Sequence, residues 1–252
     1  ESPPWADAVS AASTSLAIHA IQRVVKPTAY TRKEEYLAKL DAAVFGSYAA
    51  DIGWSPDVPE AARGLVAWAM LVRAQGDPAK RELADKAIAA IYLALKPGQL
   101  ASQMPWLGFA ELERSAGGPI AASAAYRDMR SGLSLSVYRR DGDDRDMAGG
   151  FVFGTSAFAY PTWHTARPAA FLAPMITDTR FTDPGETSRH YALVMENLRF
   201  LRQLMVDEYV AASCVDPKHA MWGVRSALWD QRQPVEATAI TLIAVCESLR
   251  AL

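Results

Sequence analysis

The fold is decided by the stretch Gly149-Gly-Phe-Val-Phe-Gly-Thr-Ser-Ala-Phe-Ala-Tyr-Pro-Thr-Trp-His-Thr-Ala-Arg-Pro-Ala-Ala-Phe-Leu-Ala-Pro-Met175, in which a glycine-aromatic turn leads through a proline into an apolar helix. The pattern occurs twice, 73 residues apart. Its shared features are a glycine, a proline eleven residues later and a Thr-Ala pair: Gly150, Pro161 and Thr165-Ala166, then Gly223, Pro234 and Thr238-Ala239. These copies, at residues 149–177 and 222–251, predict a repeated unit of turn, helix and return helix.

In the rest of the chain, prolines and glycines separate segments that have helical periodicity. About ten helices and no strand are predicted, and the short turns between them favour antiparallel neighbours. The expected fold is therefore all-α, with about five helical hairpins in series. Such an array either remains an open solenoid or closes into an α/α toroid, and residues 1–252 are expected to form one domain.

The composition of the chain indicates which kinds of molecule it is unsuited to bind. The 252 residues carry a net charge of -2, which provides no broad basic field for nucleic acid. The apolar runs are too short for a membrane span. The chain begins at Glu1 instead of Met, which is expected either if a leader is removed or if the sequence is a piece of a longer protein. A secreted or periplasmic location is the favoured expectation. Cys214 and Cys246 are interpreted as two buried thiols on helices, with a single disulfide as the alternative.

The two repeat copies resemble those of the terpenoid-cyclase and protein-prenyltransferase α/α-toroid superfamily. In that superfamily a glycine-aromatic turn precedes an inner helix with a Thr-Ala pair, as at Gly150 with Thr165-Ala166 and at Gly223 with Thr238-Ala239. The resemblance covers about the last 110 residues well. It implies an α/α toroid, or part of one, in which the loops before the inner helices open onto one end of a central cavity.

Two departures from the superfamily limit what the resemblance implies. The complete glutamine-tryptophan signature of squalene cyclases is absent, and no residues match the Asp, Cys and His that hold zinc in prenyltransferases. His19, His190 and His219 also lack ligand spacing. We therefore expect neither a metal site nor a cofactor.

The first candidate group lies at the start of the first predicted inner helix and comprises Tyr160, Trp163, His164 and Arg167. A histidine of near-neutral pKa can act as a general base, and Tyr and Arg can donate protons or neutralise a carboxylate. We therefore assign His164 and Tyr160 as catalytic candidates, and Trp163 and Arg167 as substrate-binding candidates. The alternative is structural, with core aromatics, a capping histidine and a paired arginine.

The second candidate group occupies the equivalent position of the second copy, in the segment from Trp229 to Glu236. Asp230 and Glu236 are candidate acid and base, and Trp229 and Arg232 are candidate ligand contacts. The structural alternative makes Glu236 an acid in the first turn of a helix and Asp230 the partner of Arg232.

A third polar-aromatic group contains Gln103, Trp106, Glu111 and Arg114. Trp106 and Glu111 are further substrate-binding candidates. Helical spacing also allows Glu111 to pair with Arg114 for purely structural reasons.

The loop Asp141-Gly142-Asp143-Asp144 has the Asp-x-Asp-Asp pattern with which class II terpene cyclases protonate an alkene. Such an acid must be kept protonated by burial, whereas the flanking arginines favour the ionised form. A solvated loop and a calcium loop using Asp141, Asp143 and Asp146 are the other interpretations.

Three functional hypotheses follow. The first is a ligand-binding toroid whose aromatic and polar cavity accepts a small molecule or a polysaccharide, with a carbohydrate lyase or hydrolase as the candidate enzyme of this class. The second is a terpenoid-cyclase-like enzyme using Asp141 to Asp144. The third is a noncatalytic binding or scaffold module. Oligomeric state is not readable from the sequence.

Overall fold

A computed structural model describes residues 8–23, 32–49, 53–96, 98–139, 145–154 and 159–251. Within these ranges the chain is helical and forms no β-strand; the extended contacts are two isolated antiparallel bridges, Val137 with Phe151 and Met205 with Val224. The all-α prediction is confirmed, whereas the toroid remains a prediction.

The α-helices are, in chain order, α1 (Ala8–Gln22), α2 (Lys33–Asp41), α3 (Glu60–Arg73), α4 (Pro78–Ala94), α5 (Trp106–Ser115), α6 (Ser123–Leu135), α7 (Ala166–Thr177), α8 (Thr187–Leu204), α9 (Glu208–Ala211), α10 (Pro217–Ala220) and α11 (Val235–Arg250). A π-helical turn, Ala42–Ser47, extends α2. Short 3-10 turns precede α5, α7 and α8, at Gln99–Gln103, Trp163–Thr165 and Pro184–Glu186.

The chain groups into two compact units. The first comprises residues 1–99 and 106–120, and the second comprises residues 100–105 and 121–252. The expectation of one domain over residues 1–252 stays a prediction.

The first unit is built around α3, which packs against α1, α4 and α5. Apolar residues cover most of the surface of α3, and Leu65, Val66 and Met70 of this helix are buried. Gly64 allows α5 to approach closely, because a Cβ at this position would lie 2.9 Å from the backbone nitrogen of Leu107. A larger residue at position 64 would therefore separate the two helices.

The second unit is built around α7, which packs against α8 and α11. Nine of the twelve residues of α7 are buried, so this helix forms the unit's centre. Tyr126 of α6 joins the core through its ring contacts with Phe171 and Phe181, at centroid distances of 5.3 and 5.4 Å.

The two sequence repeats fold into equivalent turns. The backbone N–H of Phe151 donates to the hydroxyl of Thr165, and in the second copy the backbone N–H of Val224 donates to the hydroxyl of Thr238, both at 3.0 Å. The repeated threonine therefore fastens the turn to the helix that follows it. This equivalence supports the repeat inferred from the 73-residue offset.

The glycine of the first copy is required by close packing against a proline ring, whereas the glycine of the second copy faces the end of a flexible side chain that can move aside. A Cβ on Gly150 would lie 2.3 Å from the Cβ of Pro161, and one on Gly223 would lie 1.8 Å from the side-chain oxygen of Gln233. The residue before each glycine has a positive φ, +96° at Gly149 and +68° at Trp222. Glycine adopts a positive φ without steric cost, and the first copy has glycine at this position. The second copy instead has Trp222 in the left-handed region.

Local hydrogen bonds set two of the helix ends. The helical segment of the first copy begins at Trp163, where the hydroxyl of Thr162 accepts the backbone N–H of His164 and caps it. Helix α6 ends at Leu135, after which the chain turns into the bridge with Phe151.

The cysteines differ from expectation. Cys214 and Cys246 are both free, and Cys246 is exposed. Cys214 is half-buried and lies in the bend after α9, so the prediction of two buried thiols on helices is wrong for both residues. Separately, no helix in the described ranges has the length and apolar character needed to cross a bilayer.

Candidate functional site

The structure brings Tyr160 of the first repeat and Trp229 of the second repeat together. Their ring centroids are 5.6 Å apart and the rings meet edge to face. Both side chains are exposed, Tyr160 to 38% and Trp229 to 55%. Edge-to-face geometry is a favoured aromatic arrangement, so the pair forms a defined aromatic surface in contact with solvent.

Tyr138 extends this aromatic surface, since its ring lies 6.3 Å from that of Tyr160. We call Tyr138, Tyr160 and Trp229 the aromatic row. The two ends of the row come from the segment after α6 and from the loop before α11. It therefore joins residues that are far apart in the sequence.

A backbone hydrogen bond between the two repeats holds the row in place. The N–H of Trp163 donates to the carbonyl of Ser226 at 3.1 Å. The Trp163 ring is buried and lies 4.1 Å from the ring of His164. Trp163 is therefore a core residue that supports His164, which matches the structural alternative for this tryptophan.

His164, Arg167 and Glu236 are close enough to influence one another electrostatically. Partial burial lowers the pKa of His164 below its usual value, Arg167 lowers it further, and Glu236 opposes both. These effects together favour the neutral imidazole, which is the form that a general base requires.

Arg167 is the positive group of this site. Burial lowers the pKa of its guanidinium, and Glu236 acts in the opposite direction. Its Nε donates to the carbonyl of Met104 at 3.3 Å. This hydrogen bond orients the guanidinium group. Because an arginine stays charged throughout the physiological range, Arg167 provides a fixed cation beside His164.

Asp230 and Arg232 form an ion pair with each other. Arg232 Nε lies 2.9 and 3.0 Å from the two carboxylate oxygens of Asp230. These side-chain hydrogen bonds hold the pKa of Asp230 below its usual value. An ionised, paired carboxylate cannot donate a proton, so the geometry favours the structural interpretation of Asp230.

The third predicted group divides between the two units. Trp106 is buried in the first unit, where its ring stacks at 6.0 Å on Trp68. Glu111 is fully buried and its Oε2 accepts a 2.8 Å hydrogen bond from Arg114. Gln103 belongs to the second unit and is also buried. Trp106 and Glu111 therefore occupy the first unit's interior.

The Asp141-Gly142-Asp143-Asp144 motif lies outside the described residues. Asp146, the remaining ligand of the hypothetical calcium loop, is exposed. Over the described ranges, no three His, Cys, Asp or Glu side chains come together as a possible metal site. The cyclase and calcium interpretations stay untested predictions.

The sequence reasoning missed a concentration of arginines on the second unit. Two adjoining cavities of about 830 and 620 Å³ share Arg139, Ala192 and Glu196 in their walls. None of the predicted site residues lines these two cavities. The available signal was the three-residue spacing of Arg127 and Arg130 on α6 and of Arg199 and Arg202 on α8, because residues at this spacing share a helix face.

No protein-family model matches this chain, and neither the curated proteins nor the solved structures include a match to it.

Proposed function

We propose that the second unit is a carbohydrate-binding unit in which a sugar ring packs on the exposed aromatic pair Tyr160 and Trp229. The supporting observation is the solvent-exposed, edge-to-face contact of these two rings at 5.6 Å. Rigid aromatic faces with polar tips suit ligands that present both C–H groups and hydroxyls. Sugars have this combination.

Three polar groups that act on one another electrostatically, His164, Arg167 and Glu236, follow the two rings in the chain and suit the hydroxyls of such a ligand. Glu236 is exposed and can accept hydrogen bonds from hydroxyl groups, and Arg167 can donate them. His164 has one donor and one acceptor nitrogen when neutral. The proposed site therefore contains donors and acceptors in addition to the aromatic faces.

The same arrangement suits proton abstraction. Burial and the neighbouring Arg167 favour neutral His164, and Arg167 provides a positive charge that can stabilise an anion formed when a proton is removed. We therefore propose His164 as the base of a lyase or hydrolase reaction, with Glu236 and Tyr160 as further candidates. Asp230, paired with Arg232, serves to hold the loop that carries Trp229.

We further propose that the two equivalent turns belong to an α/α toroid. The matching Thr165 and Thr238 hydrogen bonds, and the packing of α7 against α11, support the inference that these are inner helices. In that arrangement the loops before the inner helices would open together at one end of the ring.

Calorimetric titration with hexasaccharides tests this proposal. The panel consists of cellohexaose, xylohexaose, mannohexaose and hexagalacturonate. At least one should bind, and Trp229→Ala should weaken its binding at least tenfold, which corresponds to about 1.4 kcal/mol.

Trp222→Ala is the matched control. Trp222 is as exposed as Trp229, at 59%, and among the described residues it has no ring contact with the aromatic row. This variant should bind within twofold of the unmodified protein. Failure of every hexasaccharide to bind, or unchanged binding by Trp229→Ala, would refute the proposal.

A further inference from the structure

The two adjoining cavities of the second unit form a groove with an unusual charge distribution. Six arginines line it, and we call it the arginine groove: Arg127 and Arg130 from α6, Arg139 after α6, and Arg189, Arg199 and Arg202 from α8. Glu186 and Glu196 are the carboxylates in its walls. The lining therefore carries a clear excess of positive charge.

None of these arginines is neutralised by a direct ion pair with a carboxylate in the described part of the chain. Arg127, Arg139 and Arg199 donate to the backbone carbonyls of other residues. The side chains of Arg189 and Arg202 are exposed, and their guanidinium groups make no hydrogen bond to another described residue. Backbone carbonyls orient a guanidinium but leave its charge uncompensated.

Arg130 is the clearest case, because its side chain is buried with only 4% exposure. It donates to the hydroxyl of Thr182 and, at 3.1 Å, to the carbonyl of Phe181. Glu186 and Asp183 favour its charged form only from beyond ion-pairing distance, and a buried charge without a direct counterion is costly. An anionic group in the groove would reduce this cost.

The groove is long. Arg189 and Arg202 are thirteen residues apart on α8, which corresponds to about 20 Å along the helix. This length exceeds what one phosphate or carboxylate needs, so the arrangement fits a ligand that carries several separated anionic groups. All six cations are arginines, whose planar head groups bind carboxylates with two parallel hydrogen bonds.

The groove is continuous with the proposed carbohydrate site. Tyr138 lines the larger cavity, and its ring is also one end of the aromatic row, 6.3 Å from Tyr160. A chain bound along the groove can therefore extend onto Tyr160 and Trp229. The larger cavity is also partly apolar, with Val137, Met195 and Leu198 in its wall.

We infer that the ligand of the second unit is an acidic polysaccharide, whose anionic groups are bound by the arginine groove while a neighbouring sugar ring packs on Tyr160 and Trp229. This inference rests on the proposed carbohydrate binding. The polysaccharide is favoured because the groove shares Tyr138 with the aromatic row on which the sugar ring is proposed to pack. The net charge of -2 provides no long-range attraction for either an acidic polysaccharide or a nucleic acid, so the binding of both must come from contacts within the groove.

A matched pair of probes tests the inference, namely hexagalacturonate and its fully methyl-esterified form, which has the same backbone without the negative charge. In low salt, hexagalacturonate should bind at least tenfold more tightly than the ester. Its affinity should fall as salt is added, because salt screens the contacts between exposed charges. Equal affinity for the two forms would overturn the inference.

The groove variant Arg189→Gln with Arg202→Gln should remove most of this preference for the acidic form. Both side chains are exposed and make no hydrogen bond with the rest of the described chain, so the fold should be retained. Lys86→Gln with Arg250→Gln is the control, because it removes the same charge from exposed ion pairs outside the groove. A groove variant that binds hexagalacturonate as tightly as this control would overturn the inference.

The outcomes separate this inference from the proposed function. If the ester binds with an affinity that depends on Trp229 and the acidic form binds no more tightly, the proposed carbohydrate binding is supported. The role of the arginine groove is then contradicted. If neither form binds and the rest of the panel also fails, both are wrong. Tighter, arginine-dependent binding of oligothymidylate than of hexagalacturonate would replace the polysaccharide with nucleic acid.

Discussion

The backbone N–H of Val224 donates to the hydroxyl of Thr238, fourteen residues further along the chain, at 3.0 Å. The first repeat contains the same bond between Phe151 and Thr165. In both copies a side chain of the following helix supplies the acceptor that the turn's backbone lacks. The repeated threonine is thus a structural requirement of the turn.

Replacing Thr165 with valine removes the acceptor and leaves the buried N–H of Phe151 without a partner. We expect Thr165→Val to lower the free energy of unfolding by about 1–3 kcal/mol. Urea denaturation measures the change. Thr177→Val, which alters an exposed hydroxyl at the end of α7, should stay within about 0.5 kcal/mol. Equal stability of the two variants would argue against a structural role for the Thr165 bond.

His19 should make the protein sensitive to acid. Burial, with a smaller contribution from Arg23, lowers the pKa of His19 from 6.5 to about 4. Because the folded state disfavours the protonated ring, the stabilising contribution is fully present above pH 6.5 and is lost as pH falls towards 4. The loss from this group amounts to about 3 kcal/mol at most.

The variant His19→Phe removes this titration while retaining a ring against Trp68, whose centroid lies 3.8 Å from that of His19. Urea midpoints at pH 7 and pH 4.5 should therefore differ less for the variant than for the unmodified protein. If the two proteins lose the same stability over this range, His19 is not an acid-sensitive group.

Glu236 should control the protonation of His164. The carboxylate of Glu236 raises the pKa of His164, in opposition to burial and Arg167. Removing the charge with Glu236→Gln should therefore lower the pKa of His164 further, as followed by NMR of the imidazole protons. Glu247→Gln on the same helix, where Glu247 pairs with Arg250, should leave it unchanged. A rise in the His164 pKa in Glu236→Gln would contradict the proposed arrangement.

The sequence could predict the helical class and the repeated turns because these depend on local chemistry. Gly150 is required where a Cβ would collide with Pro161, and the threonines accept hydrogen bonds from nearby backbone groups. Such requirements recur at fixed spacing and are therefore visible in a single sequence.

The site was only partly predictable. Tyr160 and Trp229 were both candidates, but their contact depends on how the two repeats pack, since 69 residues separate them in the chain. The predicted residue Trp163 is in the core, because its ring is needed to fill the space beside His164. The arginine groove was missed because its residues come from α6, α8 and the segment between α6 and α7, and helical spacing relates only those on the same helix.

The most direct test of the account is a double-mutant cycle on Tyr160 and Trp229, using the hexasaccharide that binds most tightly. If the two rings form one binding surface, Tyr160→Ala and Trp229→Ala should each weaken binding at least tenfold. The double variant should then lose less binding free energy than the two single variants lose together, with a coupling energy of at least about 0.5 kcal/mol. Additive losses, or binding that neither substitution weakens, would contradict carbohydrate binding at this aromatic pair.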